Sequence, residues 1–210
     1  MRNKIALLFS VFILASCATQ PTYNGAKQNG TWEAKSQVKD LAKNNVHQLN
    51  VDFVSVQPDA LRMDVTAAMG VSLATMVLQG THVSYALYRQ KKFYEGELSD
   101  HALYPLFKIN LNPRVLINIC FDQPVEGEGW SCITDGQGLA ESCAKAGANP
   151  IKIRWFERKG EQKRVLIADN HFELQIVFKS YSPFDQSKVQ GRKSPFQLEA
   201  PKDFTKYKIP

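Results

Sequence analysis

A period-two alternation of apolar residues runs through the first half of the chain and limits what it can fold into. Leu49, Val51 and Phe53 alternate with polar neighbours. Leu61, Met63 and Val65 do the same opposite Arg62, Asp64 and Thr66, and Val83, Tyr85 and Leu87 repeat the pattern after a mostly apolar run over 73–78. Successive side chains of a strand point to opposite faces, so each segment reads as a strand with one buried face. Turn formers separate them at Gln57-Pro58-Asp59, around Gly70 and at Gln79-Gly80-Thr81. Strands joined by such short turns pair antiparallel.

The flanking segments have other signatures. Residues 32–44 are compatible with a helix, with Trp32, Val38 and Leu41 on a loosely apolar face. Residues 99–107 predict a short helical segment broken at Pro105. Asn112-Pro113 predicts a helix start, a capping side chain followed by proline at the first helical position. Val115, Leu116, Ile119 and Cys120 follow at helical spacing. Residues 122–149 read as a long loop. Strands resume over 151–157, 164–168 and 172–179, with a hairpin turn at Arg158-Lys159-Gly160-Glu161 and a last edge strand over 196–198. This order predicts an α+β fold: an incomplete antiparallel β-barrel, made from a strongly curved sheet, with helices covering an apolar cavity. The candidates for the cavity lining are Leu61, Met63, Val65, Leu73, Val83, Tyr85, Leu87, Phe172, Leu174 and Ile176. Asp64 and Glu95 read as strand residues on the solvent side.

The N-terminus carries an export signature. Arg2 and Lys4 precede an apolar stretch over 5–14 broken by Ser10. Ten residues are too few to span a bilayer, which takes roughly 20, and suit the core of a signal peptide. Leu14-Ala15-Ser16-Cys17 resembles the bacterial lipobox. The resemblance implies cleavage before Cys17, a diacylglycerol on its thiol and an acyl chain such as palmitate on its new amino group. More than one chain on a residue gives stable anchoring, where one alone is marginal. Ala18 stands where an Asp would imply inner-membrane retention, so the resemblance implies an outer-membrane lipoprotein facing the periplasm. Residues 1–16 are then the signal peptide, 17–30 a lipidated tether rich in turn formers, and 31–210 a single domain.

Charge and cysteine narrow the function. The net charge of +6 falls to +4 once Arg2 and Lys4 leave with the signal. The basic clusters at 89–92 and 154–164 read as solvated surface, with attraction to anionic headgroups as the sharper alternative. No nucleic-acid partner is expected of an exported chain. In an oxidising compartment one disulfide is expected. Cys132 and Cys143 flank the turn-like Asp135-Gly136-Gln137-Gly138 and are the candidate pair; Cys120 with Cys132 competes. No metal site is expected, because a three-Cys set with His171 lacks paired ligand spacing. Ser36-x-x-Lys39 has the spacing of an acyl-enzyme pair without its supporting motifs, and reads as helix surface. His47, His82, His101 and His171 are dispersed, and neither a Gly-x-Ser-x-Gly nor a phosphate-cradling loop occurs. The chain is expected to be a monomer, not an enzyme, with no cofactor beyond the lipid on Cys17.

The segment over 59–113 resembles the LolB group of the LolA/LolB lipoprotein-carrier superfamily. Asp59-Ala60-Leu61-Arg62-Met63-Asp64-Val65-Thr66 is similar to the strand that enters the exposed loop of that family. Ala67-Ala68-Met69-Gly70-Val71-Ser72-Leu73 resembles the loop, with Ala68 where the family often has proline. Gln79-Gly80-Thr81-His82-Val83 resembles the next turn and strand, and Glu97-Leu98-Ser99-Asp100 followed by Leu106 and Asn112-Pro113 the short helices. The resemblance implies acyl chains bound in an apolar cavity, a soluble periplasmic LolA-like carrier as partner, and insertion of lipoproteins or lipids into the outer membrane. It also implies that Met69 is a loop tip that dips into the bilayer. A structural or interaction lipoprotein of the same fold, without lipid transfer, is the alternative.

Overall fold

The computed structural model describes Tyr23, residues 29–185 and residues 194–209. The signal peptide, Cys17 and most of the tether lie outside the described residues. Twelve strands form one sheet, strongly curved and open. They are β1 (Gly30–Asp40), β2 (Asn45–Val56), β3 (Ala60–Thr66), β4 (Ser72–Gln79), β5 (His82–Leu87), β6 (Lys92–Glu97), β7 (Trp130–Thr134), β8 (Ala140–Lys145), β9 (Ile151–Lys159), β10 (Gln162–Ala168), β11 (Phe172–Pro183) and β12 (Thr205–Lys208). Helices α1 (Tyr104–Phe107) and α2 (Arg114–Phe121) lie between β6 and β7. The order across the sheet is β12-β6-β5-β4-β3-β2-β1-β11-β10-β9-β8-β7. Neighbours pair antiparallel, except that β12 runs parallel to β6.

The segment over 32–44, expected as a helix, is instead β1 and a turn. Trp32, Ala34 and Ser36 are buried while Glu33 and Lys35 are exposed. Trp32 and Val38, six residues apart, fit a period of two, whereas Val38 and Leu41, three apart, fit a helical one. Pairing with β2 on one side and β11 on the other decided between them, since ladder bonds on both edges override weak local preference. Leu41 lies in the following turn. The loop expected over 122–149 contains a hairpin, β7 and β8, turned at Asp135 through hydrogen bonds from Gln137 and Leu139. Residues 195–196 form a turn rather than the expected edge strand, and the edge is β12. Pro105 sits in the first turn of α1, where its missing N–H costs nothing, so it opens the helix instead of breaking it. At α2 the Asn112 Oδ1 accepts from the Arg114 amide at 3.0 Å, a partner for one otherwise orphaned helix donor.

Helix is a minor component of the fold, 4 residues in α1 and 8 in α2. Its role is positional. The segment between β6 and β7 crosses the inner face of the sheet and joins its apolar side chains in one core.

Candidate functional site

The ten side chains expected on the apolar face all belong to the core or pack against it. Leu61, Met63, Val65, Val83, Tyr85, Leu87, Leu174 and Ile176 are buried, and Leu73 and Phe172 are half-buried. The register explains this. Phe53, Met63, Met76 and Tyr85 are successive partners across β2 to β5, as are Val51, Val65, Ala74 and Leu87. Partners in register share a face, so alternation along each strand becomes one apolar surface. Leu103, Phe107, Ile109, Val115, Leu116, Ile119 and Phe121 are buried against it from the helical segment. Aromatic contacts tighten the packing. Tyr85 stacks on Tyr94 at 4.8 Å between centroids, Phe53 on Phe178 at 5.6 Å, and Trp32 meets Phe121 edge-on at 5.3 Å. The inner face is therefore largely filled. Three polar atoms within it, Ser36 Oγ, the Tyr85 hydroxyl and Trp155 Nε1, are buried with no hydrogen-bond partner among the described residues. Ser36 and Lys39 stand on a strand and not on the helix surface expected for them; three residues apart, they occupy opposite faces.

Space remains at one rim. A cleft of about 210 Å³ is lined by Leu49, Val65, Leu73, Leu87, Phe107 and Arg89, among others, beneath α1. Next to it, Met69 stands 90% exposed and Val71 57% exposed in the turn between β3 and β4. The Ala67 amide donates to Val71 and the Gly70 amide to Ala67, both at 2.9 Å. This tight turn needs Gly70 at a φ of 76°, a value that glycine adopts without strain. The turns after β1, β5 and β10 share this end, because Asp40, Leu87 and Ala168 all lie at the same side of the register. The Leu41 amide donates to His171 O at 2.8 Å and ties two of those turns together. Seven large hydrophobic side chains are exposed among the described residues. Five of them, Leu41, Val46, Met69, Val71 and Tyr104, are at this rim, and Ile133 and Tyr207 sit on edge strands.

The opposite end is built from buried charge. Asp122 follows α2 in a left-handed conformation, with its amide donating to Asn118 and Ile119 carbonyls. Lys163 Nζ donates to Ile119 O at 2.6 Å, to Cys120 O at 2.7 Å and to Asp122 Oδ2 at 3.0 Å. An ammonium thus caps the carbonyl end of the helix, where positive charge is favoured. Burial pulls the Lys163 pKa below its ordinary value, and the Asp122 carboxylate opposes that shift. The Arg158 guanidinium reaches Asp122 Oδ1 at 3.4 Å and donates to Ala140 O. This cluster escaped the reading by alternation, although its signal is present: Lys163 is in phase with the inward-facing Val165 and Ile167. Burial pushes the nearby Cys120 thiol up to about 12. Cys132 and Cys143 stand opposite each other on β7 and β8 and are joined by a disulfide.

A second, larger cleft of about 1070 Å³ opens near Gln57-Pro58-Asp59, between α2 and residues 123–130. Its lining mixes Val115, Val125 and Trp130 with Glu126, Glu128, Arg114 and Asn118. Among the described residues no group of His, Cys, Asp or Glu is placed to hold a metal ion, and no helix is long and apolar enough to cross a membrane.

No protein-family model matches this sequence, and no curated protein matches it at a significant level. Among solved structures the chain is similar to a LolA superfamily protein from Nitrosomonas europaea, at 8% identity and a TM-score of 0.47, covering 77% of this chain and 89% of that one. It is also similar to an uncharacterized conserved protein from Thermus thermophilus, at 11% identity and a TM-score of 0.38 over 84% and 90% of the two chains. A domain from Vibrio parahaemolyticus, provisionally described as an outer membrane lipoprotein-sorting protein, is similar at 6% identity and a TM-score of 0.34 over 74% and 85%. All three likenesses are distant.

Proposed function

We propose that this chain is a lipoprotein of the bacterial outer membrane, anchored by acyl chains on Cys17, which binds acyl chains against its inner apolar face and accepts or inserts lipoproteins or lipids. The observation that carries the reading is the gathering of five exposed hydrophobic side chains at the rim where the apolar cleft opens. Large apolar side chains concentrated on one part of a surface mark contact with a membrane or another protein. Lys43, Arg89 and Lys108 are exposed at the same rim, and anionic headgroups favour such flanking charge. Met69 is the most exposed of the five and is the residue assigned to dip into the bilayer.

The cleft at the rim falls below the roughly 300–1,000 Å³ usual for small-molecule sites. Entry of an acyl chain therefore requires α1 to yield. The backbone amides of Ala102, Tyr104, Leu106, Phe107, Lys108 and Leu111 bond within residues 99–109 and not to a strand, so side-chain packing does most to hold this part of the segment to the sheet. Such parts open at lower free energy than strands in a ladder. An entering chain replaces apolar contacts with apolar contacts, and each methylene it buries contributes about 0.8 kcal/mol. A soluble LolA-like carrier would supply the acylated cargo, and no covalent chemistry is needed.

Two measurements test this. Cys17→Ala should abolish sedimentation with outer membranes; full retention after a salt wash sinks the anchoring. A fluorescent fatty acid should bind saturably to the lipid-free protein and be displaced by an acylated peptide; no saturable binding sinks the carrier reading. The second reading, a structural or interaction lipoprotein of this fold, is favoured by one observation, the filled inner face. Mass spectrometry of protein purified from membranes separates the two, because only a carrier should bring stoichiometric lipid with it.

A further inference from the structure

Tyr23 lies six residues after Cys17 and seven before β1. Its hydroxyl donates to Asp122 Oδ2, and the Arg158 guanidinium stands 5.6 Å from its ring centroid. Both partners belong to the buried cluster that caps α2, and Asp122 is itself fully buried. Lys163 and Arg158 are bonded to Asp122 independently of the tyrosine. The phenol thus enters a socket that the folded domain already holds together: a carboxylate to accept its proton and a guanidinium to lie over its ring, a favourable pairing of cation and aromatic. Burial and the Asp122 charge push the phenol pKa well above its ordinary value, which keeps it a donor.

We infer that Asp122 and Arg158 form a docking site for the N-terminal segment of this same chain, and that seating Tyr23 shortens the tether. The consequence rests on the reading of Cys17 as the lipid-bearing residue. Six residues reach at most roughly 20 Å, whereas the thirteen from Cys17 to Gly30 reach roughly 45 Å. The 11 residues of β1 span about 36 Å. With Tyr23 seated, the Asp122 end is held beside the anchoring bilayer, and the tether is shorter than the sheet is long. With Tyr23 released, the tether exceeds the length of the sheet, so the Met69 rim can turn to the same bilayer. Docking therefore sets which end of the domain addresses the membrane.

Chymotrypsin reads the docking directly, because it cuts after tyrosine and phenylalanine alike. Full-length protein in phosphatidylethanolamine–phosphatidylglycerol vesicles is digested, and cleavage after position 23 is timed by mass spectrometry. Rates are divided by those of the same chains unfolded in urea. Tyr23→Phe keeps the cutting site and loses only the hydroxyl. Its normalised cleavage should be at least about tenfold faster than wild type, as expected for losing one hydrogen bond to a charged group. Equal rates would overturn the docking site. The mass of the released N-terminal peptide separates this from the anchoring: a tenfold ratio with an unacylated Cys17 leaves the docking site standing and removes the anchor.

Discussion

At the Met69 rim large apolar side chains face solvent, whereas at the Asp122 end charged side chains are buried. Each arrangement runs against the ordinary distribution of residues, and for a different reason. The buried charges have a structural account: Lys163 and Arg158 satisfy carbonyls that the end of α2 and the start of β8 leave open, and Asp122 and Asp135 supply their counter-charges. The exposed hydrophobics have none. Met69 is largely exposed and stands outside the core, and its turn is closed by backbone bonds that any side chain at that position would allow. One end is expensive to disturb and the other is cheap. That difference assigns stability to the Asp122 end and leaves the rim free for contact.

Mutations should separate the ends in that order. Asp122→Ala strands Lys163 without its counter-charge, leaves Arg158 with Asp135 at 3.5 Å, and should cost about 3–5 kcal/mol in urea unfolding, as breaking a buried ion pair does. A loss under 1 kcal/mol would mean the cluster is more hydrated than its burial indicates. Leu116→Ala removes packing between α2 and the sheet and should cost about 2–5 kcal/mol. The same variant enlarges the interior, so it should bind a fluorescent fatty acid more tightly than wild type; unchanged binding would place the acyl site elsewhere. Reduction of Cys132–Cys143, 11 residues apart, should cost about 2–3 kcal/mol through the loop it closes. Cys120 should stay unreactive to thiol reagents at pH 8 until the chain unfolds, given its buried thiol and raised pKa. Met69→Glu should change stability by no more than about 0.5 kcal/mol. It should nevertheless slow delivery of acylated cargo to vesicles by about tenfold or more, since a buried methionine contributes about 1.5–3 kcal/mol. If Met69→Glu unfolds the protein, the contrast between the ends fails; if delivery is unchanged, the rim has another use.

Much of the sheet was legible in the alternation. The strands over 49–53, 61–65 and 83–87, and their continuation over 151–179, each carry an apolar face that only pairing with neighbours can bury. Gly70 marked its turn, and Asn112-Pro113 marked the start of α2. The misreading of β1 came from a short segment whose apolar spacing fits two periods, and its position between β11 and β2 decided the matter. The edge strand β12 has four exposed side chains and no apolar alternation, so its pairing with β6 left no trace in composition.

The chain itself determined which side chains share a face, because strand geometry converts spacing into direction without reference to the rest of the molecule. It also determined the turns, where glycine, proline and asparagine limit the backbone locally. Only the tertiary structure decided how far the helical segment fills the inner face, since packing density depends on how side chains distant in sequence interlock. The gathering of Leu41, Val46, Met69 and Val71 at one rim was likewise decided by register, which brings together turns separated by up to several strands, and Tyr104 joins them from α1. Lys163 shows the division most clearly. Its phase with Val165 pointed it inward, but whether an inward lysine is tolerable depended on finding Asp122 and two helix carbonyls some forty residues away, and that is a matter of where the chain folds back.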